Sequence, residues 1–268
     1  MLKQRILVAA LGLPLLIGLV FSPVLAFAGV VLVALLVAAW EFHHLIPLDA
    51  RLPSWSTILG VALPLLGWVV ALRPNTAVVA GLMVSLLGLS TLALVRYERG
   101  HDRAGTGLAY GVLAAVYLGV LGGFLIGLRA QAGPWGWLWA LSVVWVNDSS
   151  AYFVGRRWGH HAMSPRLSPK KTWEGFWGGV AVAVLYGLTF PWVGEALGGG
   201  PFPTSWVARL GLVLSLALLT PLGDLTESLL KRQAGVKDSG HWLPGHGGIL
   251  DRVDAWLWAG VLAYAWLG

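Results

Sequence analysis

Acidic, basic and glycine residues gather toward the C-terminal end of this 268-residue chain, in the segment GDLTESLLKRQAGVKDSGHWLPGHGGILDRVD from Gly223 to Asp254. Asp224, Ser228 and Lys231 recur at i, i+4 and i+7, which would place them on one face of a helix. Asp251 and Asp254 are i, i+3 neighbours. Between these groups lies Pro244-Gly245-His246-Gly247-Gly248. Such glycines allow positive φ and let backbone N–H groups approach an anion, and the helix start that follows also favours anions. Clustered carboxylates repel one another unless a cation joins them. Oxygen donors in a chain with no cysteine suit a hard cation such as Mg²⁺. Lysines, arginines and a glycine loop beside it suit a polyphosphate. The set therefore points to phosphoryl or nucleotidyl transfer, where positioning and charge neutralisation do most of the catalysis. A salt-bridged loop capping a helical bundle is the plainer reading, but it needs neither so many glycines nor three flanking aspartates.

Two other polar groups interrupt the apolar chain. Asn147-Asp148-Ser149-Ser150 sits inside an apolar stretch, where a carboxylate costs about 3 kcal/mol to insert into a bilayer. It is either a helix-to-helix hydrogen bond or ion pair, or a substrate contact in a polar cavity. The second group, SPRLSPKKTWEG, runs from Ser164 to Gly175. Ser168 followed by Pro169 predicts a helix start, with a capping hydroxyl and a proline in the first turn. Lys170 and Lys171 would then oppose the helix dipole. They meet anions instead, either lipid headgroups or a bound phosphate.

The elements that must position these residues are membrane helices. The chain is 57% hydrophobic and only 11% charged, far below the usual quarter for soluble domains. With about 20 apolar residues needed per span, nine candidates emerge. They are Ile6–Phe21, Val24–Trp40, Ser56–Leu72, Ala77–Val95, Gly107–Leu128, Pro134–Val154, Trp173–Val193, Trp206–Leu222 and Val253–Leu267. With the N-terminus cytoplasmic, the inner segments are 1–5, 41–55, 96–106, 155–172 and 223–252. Every lysine and arginine falls in these segments except Arg73, Arg129 and Arg209, as the positive-inside rule requires. All the long polar segments then lie on the cytoplasmic side. The 16 tryptophans suit interfacial belts. The net charge of +6 is read as basic loops at the membrane, with no nucleic-acid partner. Lys3, Arg5 and Ala26-Phe27-Ala28 imitate a secretory leader, but the second apolar run that follows at once favours retention of the first helix. The expectation is an all-α, polytopic membrane bundle of about nine helices. It forms a single membrane domain over 1–268, with N-terminal helices to residue 130 and the motif-bearing half from 131.

The Gly223–Asp254 segment resembles the signature of the phosphatidate cytidylyltransferase family. The matching positions are Ser228, Lys231-Arg232, Lys237-Asp238, His246-Gly247-Gly248 and Asp251-Arg252-Val253-Asp254. A similar Ser-Pro-Lys-Lys-Thr-x-Glu-Gly element spans Ser168 to Gly175, and Asn147-Asp148 resembles the polar pair of the family's middle span. The motifs cover the C-terminal half. The N-terminal half matches only as a hydrophobic multi-span region. The resemblance implies a multi-pass enzyme of the inner (plasma) membrane, with its active site facing the cytoplasm. It would convert CTP and phosphatidic acid to CDP-diacylglycerol and pyrophosphate with Mg²⁺, as one or two divalent ions and room for a monovalent one. It also implies homodimers surrounded by membrane lipids. By resemblance, Asp224, Asp251 and Asp254 are the metal ligands and Asp148 faces the same cavity. Lys170, Lys171, Lys231, Arg232 and Arg252 would hold the phosphates. His246 would donate to the leaving pyrophosphate or fix its loop. The alternatives are a CTP-dependent polyprenol kinase, a cytidylyltransferase for another lipid phosphate and, from a different class, a transporter.

Overall fold

The computed structural model describes residues 2–200, 202–203, 205–242 and 247–268, leaving aside the side chains of 2–11. Apolar runs bounded by Pro, Gly and polar residues become helices: α1 Leu2–Phe21, α2 Val24–Leu45, α3 Ser54–Ala71, α4 Thr76–Glu98, α5 Ala104–Ala114, α6 Leu121–Gln131, α7 Gly133–Trp158, α8 Trp173–Ala196, α9 Trp206–Leu219, α10 Pro221–Gln233 and α11 Leu250–Leu267. A π-helical turn, Ala115–Val120, joins α5 to α6. Each of the nine apolar stretches expected from the sequence coincides with helix among the described residues. Six helical stretches there are long and apolar enough to cross a membrane: Val24–Leu45, Ser54–Ala71, Thr76–Glu98, Ala104–Gln131, Trp173–Ala196 and Trp206–Gln233. Leu87, Leu185 and Val207 are 69%, 69% and 76% exposed. Large side chains left outward along apolar helices mark surfaces solvated by lipid, and the chain is a multi-pass, all-α membrane protein.

The helices form two compact units. The first comprises Met1–Ala130 and Leu230–Val253, the second Gln131–Leu229 and Asp254–Gly268. In the first, Phe27, Leu35, Phe42, Leu65, Trp68 and Leu118 are fully buried. Close approach of α3 and α4 depends on small residues, because a Cβ at Gly67 would lie 2.5 Å from the Val78 nitrogen. Small residues at helix contacts are the rule where lipid removes the hydrophobic drive to associate. In the second unit α7 packs along α8, and the buried Trp139 donates its Nε1–H to the Gly187 carbonyl at 2.8 Å.

Between α7 and α8 lies a short antiparallel hairpin, β1 Ala162–Ser164 and β2 Ser168–Thr172, paired Ala162 to Thr172 and Ser164 to Ser168. This corrects the reading of Ser168 as a helix cap. Ser168-Pro169-Lys170-Lys171 is extended, and α8 begins only at Trp173. Its cap is Thr172, whose Oγ1 accepts the Gly175 N–H at 3.2 Å. The physical reason is that Thr172, four residues later, satisfies the orphan N–H of the helix start, while Pro169 lacks a donor and fits the edge of a two-stranded ribbon.

Candidate active site

In the second unit, α10 carries Asp224 and Glu227 one turn apart, and α11 carries Asp254. One carboxylate oxygen from each lies within 4.8 Å of the other two. Glu227 and Asp254 are buried, at 1% and 7% exposure, while Asp224 is half-buried. The approach of the two helices is set by Gly223, since a Cβ there would lie 2.6 Å from the Asp254 carbonyl oxygen. The Lys171 ammonium forms an ion pair with Asp224 Oδ2. Along β2, Lys171 and Thr172 are half-buried and Pro169 and Lys170 exposed, so of the two adjacent lysines it is Lys171 that reaches Asp224. Three carboxylates around one point, with one lysine beside them, form a site that a hard cation and a phosphate would complete.

On α7, Asn147 is buried and its Nδ2–H donates to the Ala217 carbonyl of α9 at 3.0 Å, so its amide makes the helix-to-helix bond of the structural reading. Asp148, its neighbour, is exposed. Ser168 is half-buried in β2. Ser228 lies on the buried side of α10 beside Glu227.

The first unit holds a second constellation. Lys231 Nζ donates to Asp251 Oδ1 at 2.6 Å. Asp251 Oδ2 accepts from the Ser239 N–H at 2.9 Å, the Ser239 hydroxyl at 2.9 Å and the Gly248 N–H at 2.8 Å. Both side chains of the pair are nearly buried, at 11% and 5% exposure. Gly247 has φ +79°, the left-handed region open to glycine. Arg232, Lys237, Asp238 and Arg252 are exposed, and Arg232 donates to the Val236 carbonyl at 3.3 Å. His246 lies outside the described residues.

Of the three aspartates named as ligands, Asp224 and Asp254 come together within the second unit, and Asp251 belongs to the first. Sequence reading passed over Glu227, although it stands i+3 from Asp224, the same spacing that singled out Asp251 and Asp254. It also passed over Ser239, and over Glu41 of α2, whose carboxylate accepts the Leu250 N–H at 2.7 Å across 209 residues of chain. No spacing rule reaches that far.

The sequence model of the cytidylyltransferase family matches residues 3–268. The phosphatidate cytidylyltransferase of Bacillus subtilis (strain 168) is 34% identical over 267 residues, covering 96% of this chain and 94% of its own. That of Staphylococcus aureus (strain COL) is 34% identical over 272 residues, with coverage of 96% and 95%. That of Brucella abortus (strain 2308) is 35% identical over 241 residues, with coverage of 88% and 83%. The similarity takes in the N-terminal helices as well as the motif-bearing half, and the chain belongs to the cytidylyltransferase family.

Proposed function

We propose that this protein transfers a cytidylyl group from CTP to phosphatidic acid, giving CDP-diacylglycerol and pyrophosphate, the activity for which its bacterial relatives are named. The observation that carries the reading to particular residues is the Asp224–Glu227–Asp254 carboxylate set with Lys171 against it. An oxygen of the lipid phosphate bonds to the α-phosphorus of CTP. The bond from that phosphorus to the pyrophosphate oxygen breaks, and its electron pair leaves with pyrophosphate. The attacking oxygen is already anionic, so no protein nucleophile is needed.

Repulsion between two anionic reactants is the main barrier to their approach. Asp224, Glu227 and Asp254 fit one or two Mg²⁺ ions, being oxygen donors gathered around one point. By its place in the Asp251-Arg252-Val253-Asp254 element, Asp251 would serve the same transfer, and within the first unit its Oδ1 accepts from Lys231. A cation bound at the Asp224–Glu227–Asp254 set, with or without a monovalent companion, would neutralise triphosphate charge. Lys171, Lys231 and the exposed Arg232 and Arg252 hold the two phosphates, the arginines by their bidentate fork, while Lys170 is left to solvent. The site faces the cytoplasm of a bacterial inner membrane, where CTP is found. The working form is a homodimer among membrane lipids.

The test is purified protein given phosphatidic acid and CTP labelled at the α-phosphorus. Label should enter the lipid, with one pyrophosphate released per lipid labelled, and both should stop when a chelator removes magnesium. Release of labelled CDP with an unlabelled lipid would make the protein a kinase. Ion flux without CTP turnover would make it a transporter.

A further inference from the structure

Glu41 is the most deeply buried acid among the described residues, with no exposure, and it belongs to no motif of the reaction. It stands in the last turns of α2. Its Oε1 accepts the Ile249 N–H at 3.0 Å, and its Oε2 accepts the Leu250 N–H at 2.7 Å. These are free N–H groups at the start of α11, where a helix attracts negative charge. Oε2 also lies 3.2 Å from the Ser239 hydroxyl, the same hydroxyl that stands 2.9 Å from Asp251 Oδ2. One proton thus serves two carboxylates. A Cβ at Gly248 would lie 2.5 Å from either Glu41 oxygen, and one at Gly240 would also overlap Oε1. The glycine of the His-Gly-Gly element is therefore pressed against Glu41, so the absence of a side chain there does not by itself argue for close approach to a bound phosphate.

We propose that Glu41 is a positioning residue for cytidylyl transfer: it clamps the start of α11 and Ser239, and through them sets the orientation of the Asp251 carboxylate. The clamp has three parts. The Ile249 and Leu250 amides fix the helix start that carries Asp251. Ser239 links the two carboxylates directly. Gly248 donates to Asp251 while its missing side chain makes room for Glu41. A misplacement of about 1 Å at a reacting group can cost about a hundredfold in rate, so a fully buried side chain on a distant helix can govern turnover without touching substrate.

The inference rests on the reading that Asp251 serves the transfer, and Asp251→Asn separates the two. Glu41→Gln keeps the volume but sets an NH₂ against backbone donors. Ser239→Ala removes the link and leaves the packing. Each, measured as pyrophosphate release per folded molecule, should lower kcat about tenfold or more with KM for CTP unchanged, the pattern of an interaction lost only in the transition state. The double variant should be no slower than Glu41→Gln alone, because both act on one chain of contacts. A purely structural Glu41 would lower the thermal midpoint and leave kcat per folded molecule at the wild-type value, which would overturn the proposal. Should Glu41→Gln fail to fold, a wild-type kcat for Ser239→Ala overturns it equally. A wild-type rate for Asp251→Asn sinks the reading of Asp251 and this inference with it. Loss of activity there beside wild-type rates in the other two variants sinks this inference alone.

Discussion

Asp224, Glu227 and Asp254 hold oxygens within 4.8 Å of one another, a separation at which like charges repel by about 3 kcal/mol per pair at an effective dielectric of about 20. Lys171 offsets part of this through Asp224, and on the proposed function a bound cation would offset the rest. This sets opposite effects on folding and on activity. Glu227→Gln removes one like charge, so the metal-free variant should melt at or above the midpoint of metal-free wild type. It should also lose the stabilisation expected of magnesium on the wild type, about 2.7 kcal/mol at a hundredfold excess over Kd, and its turnover should fall at least a hundredfold. Thermal unfolding in detergent with and without magnesium measures the first two. A Glu227→Gln protein that still gains stability from magnesium would remove Glu227 from the ligand set.

At the scale of elements, the hairpin decides which lysine matters. Side chains alternate along a strand, so neighbouring Lys170 and Lys171 point apart, the first to solvent and the second to Asp224. On a helix start, as the Ser168-Pro169 pair predicts, both would have flanked the same turn. Lys171→Ala should therefore lower kcat/KM for CTP about tenfold or more, whereas Lys170→Ala should cost less than about threefold, as for an exposed charge. Equal losses in the two variants would contradict the strand. The same displacement moves the cap of α8 to Thr172, which shows how two plausible capping residues four positions apart are separated only by the pairing of β1 with β2.

At the scale of the whole molecule, solvent and sidedness govern the arrangement. Apolar side chains such as Leu87, Leu185 and Val207 stand largely exposed, an arrangement stable only in lipid. The distribution of lysine and arginine predicts a cytoplasmic N-terminus. Because the chain has no cysteine, single cysteines report sidedness without background. With α4 crossing the membrane, Arg103→Cys should react with an impermeant maleimide from the cytoplasmic face and Arg73→Cys from the opposite face. Labelling with the two faces exchanged would overturn the orientation, and labelling of both from one side would overturn the crossing.

The sequence by itself determined the solvent, the helical class and the chemistry. Composition decides whether lipid or water surrounds the chain, apolar run length decides that the segments are helices, and the contiguous Ser228-to-Asp254 signature carries the family. Each of these is a property of neighbours along the chain. Only the tertiary structure decided which carboxylates meet, that Glu227 joins Asp224 and Asp254, that Lys171 and not Lys170 faces them, and that Glu41 reaches the start of α11 across 209 residues. These depend on how close two backbones can come, as at Gly223 and Gly248, and such contacts follow from packing in three dimensions, to which spacing along one chain is blind.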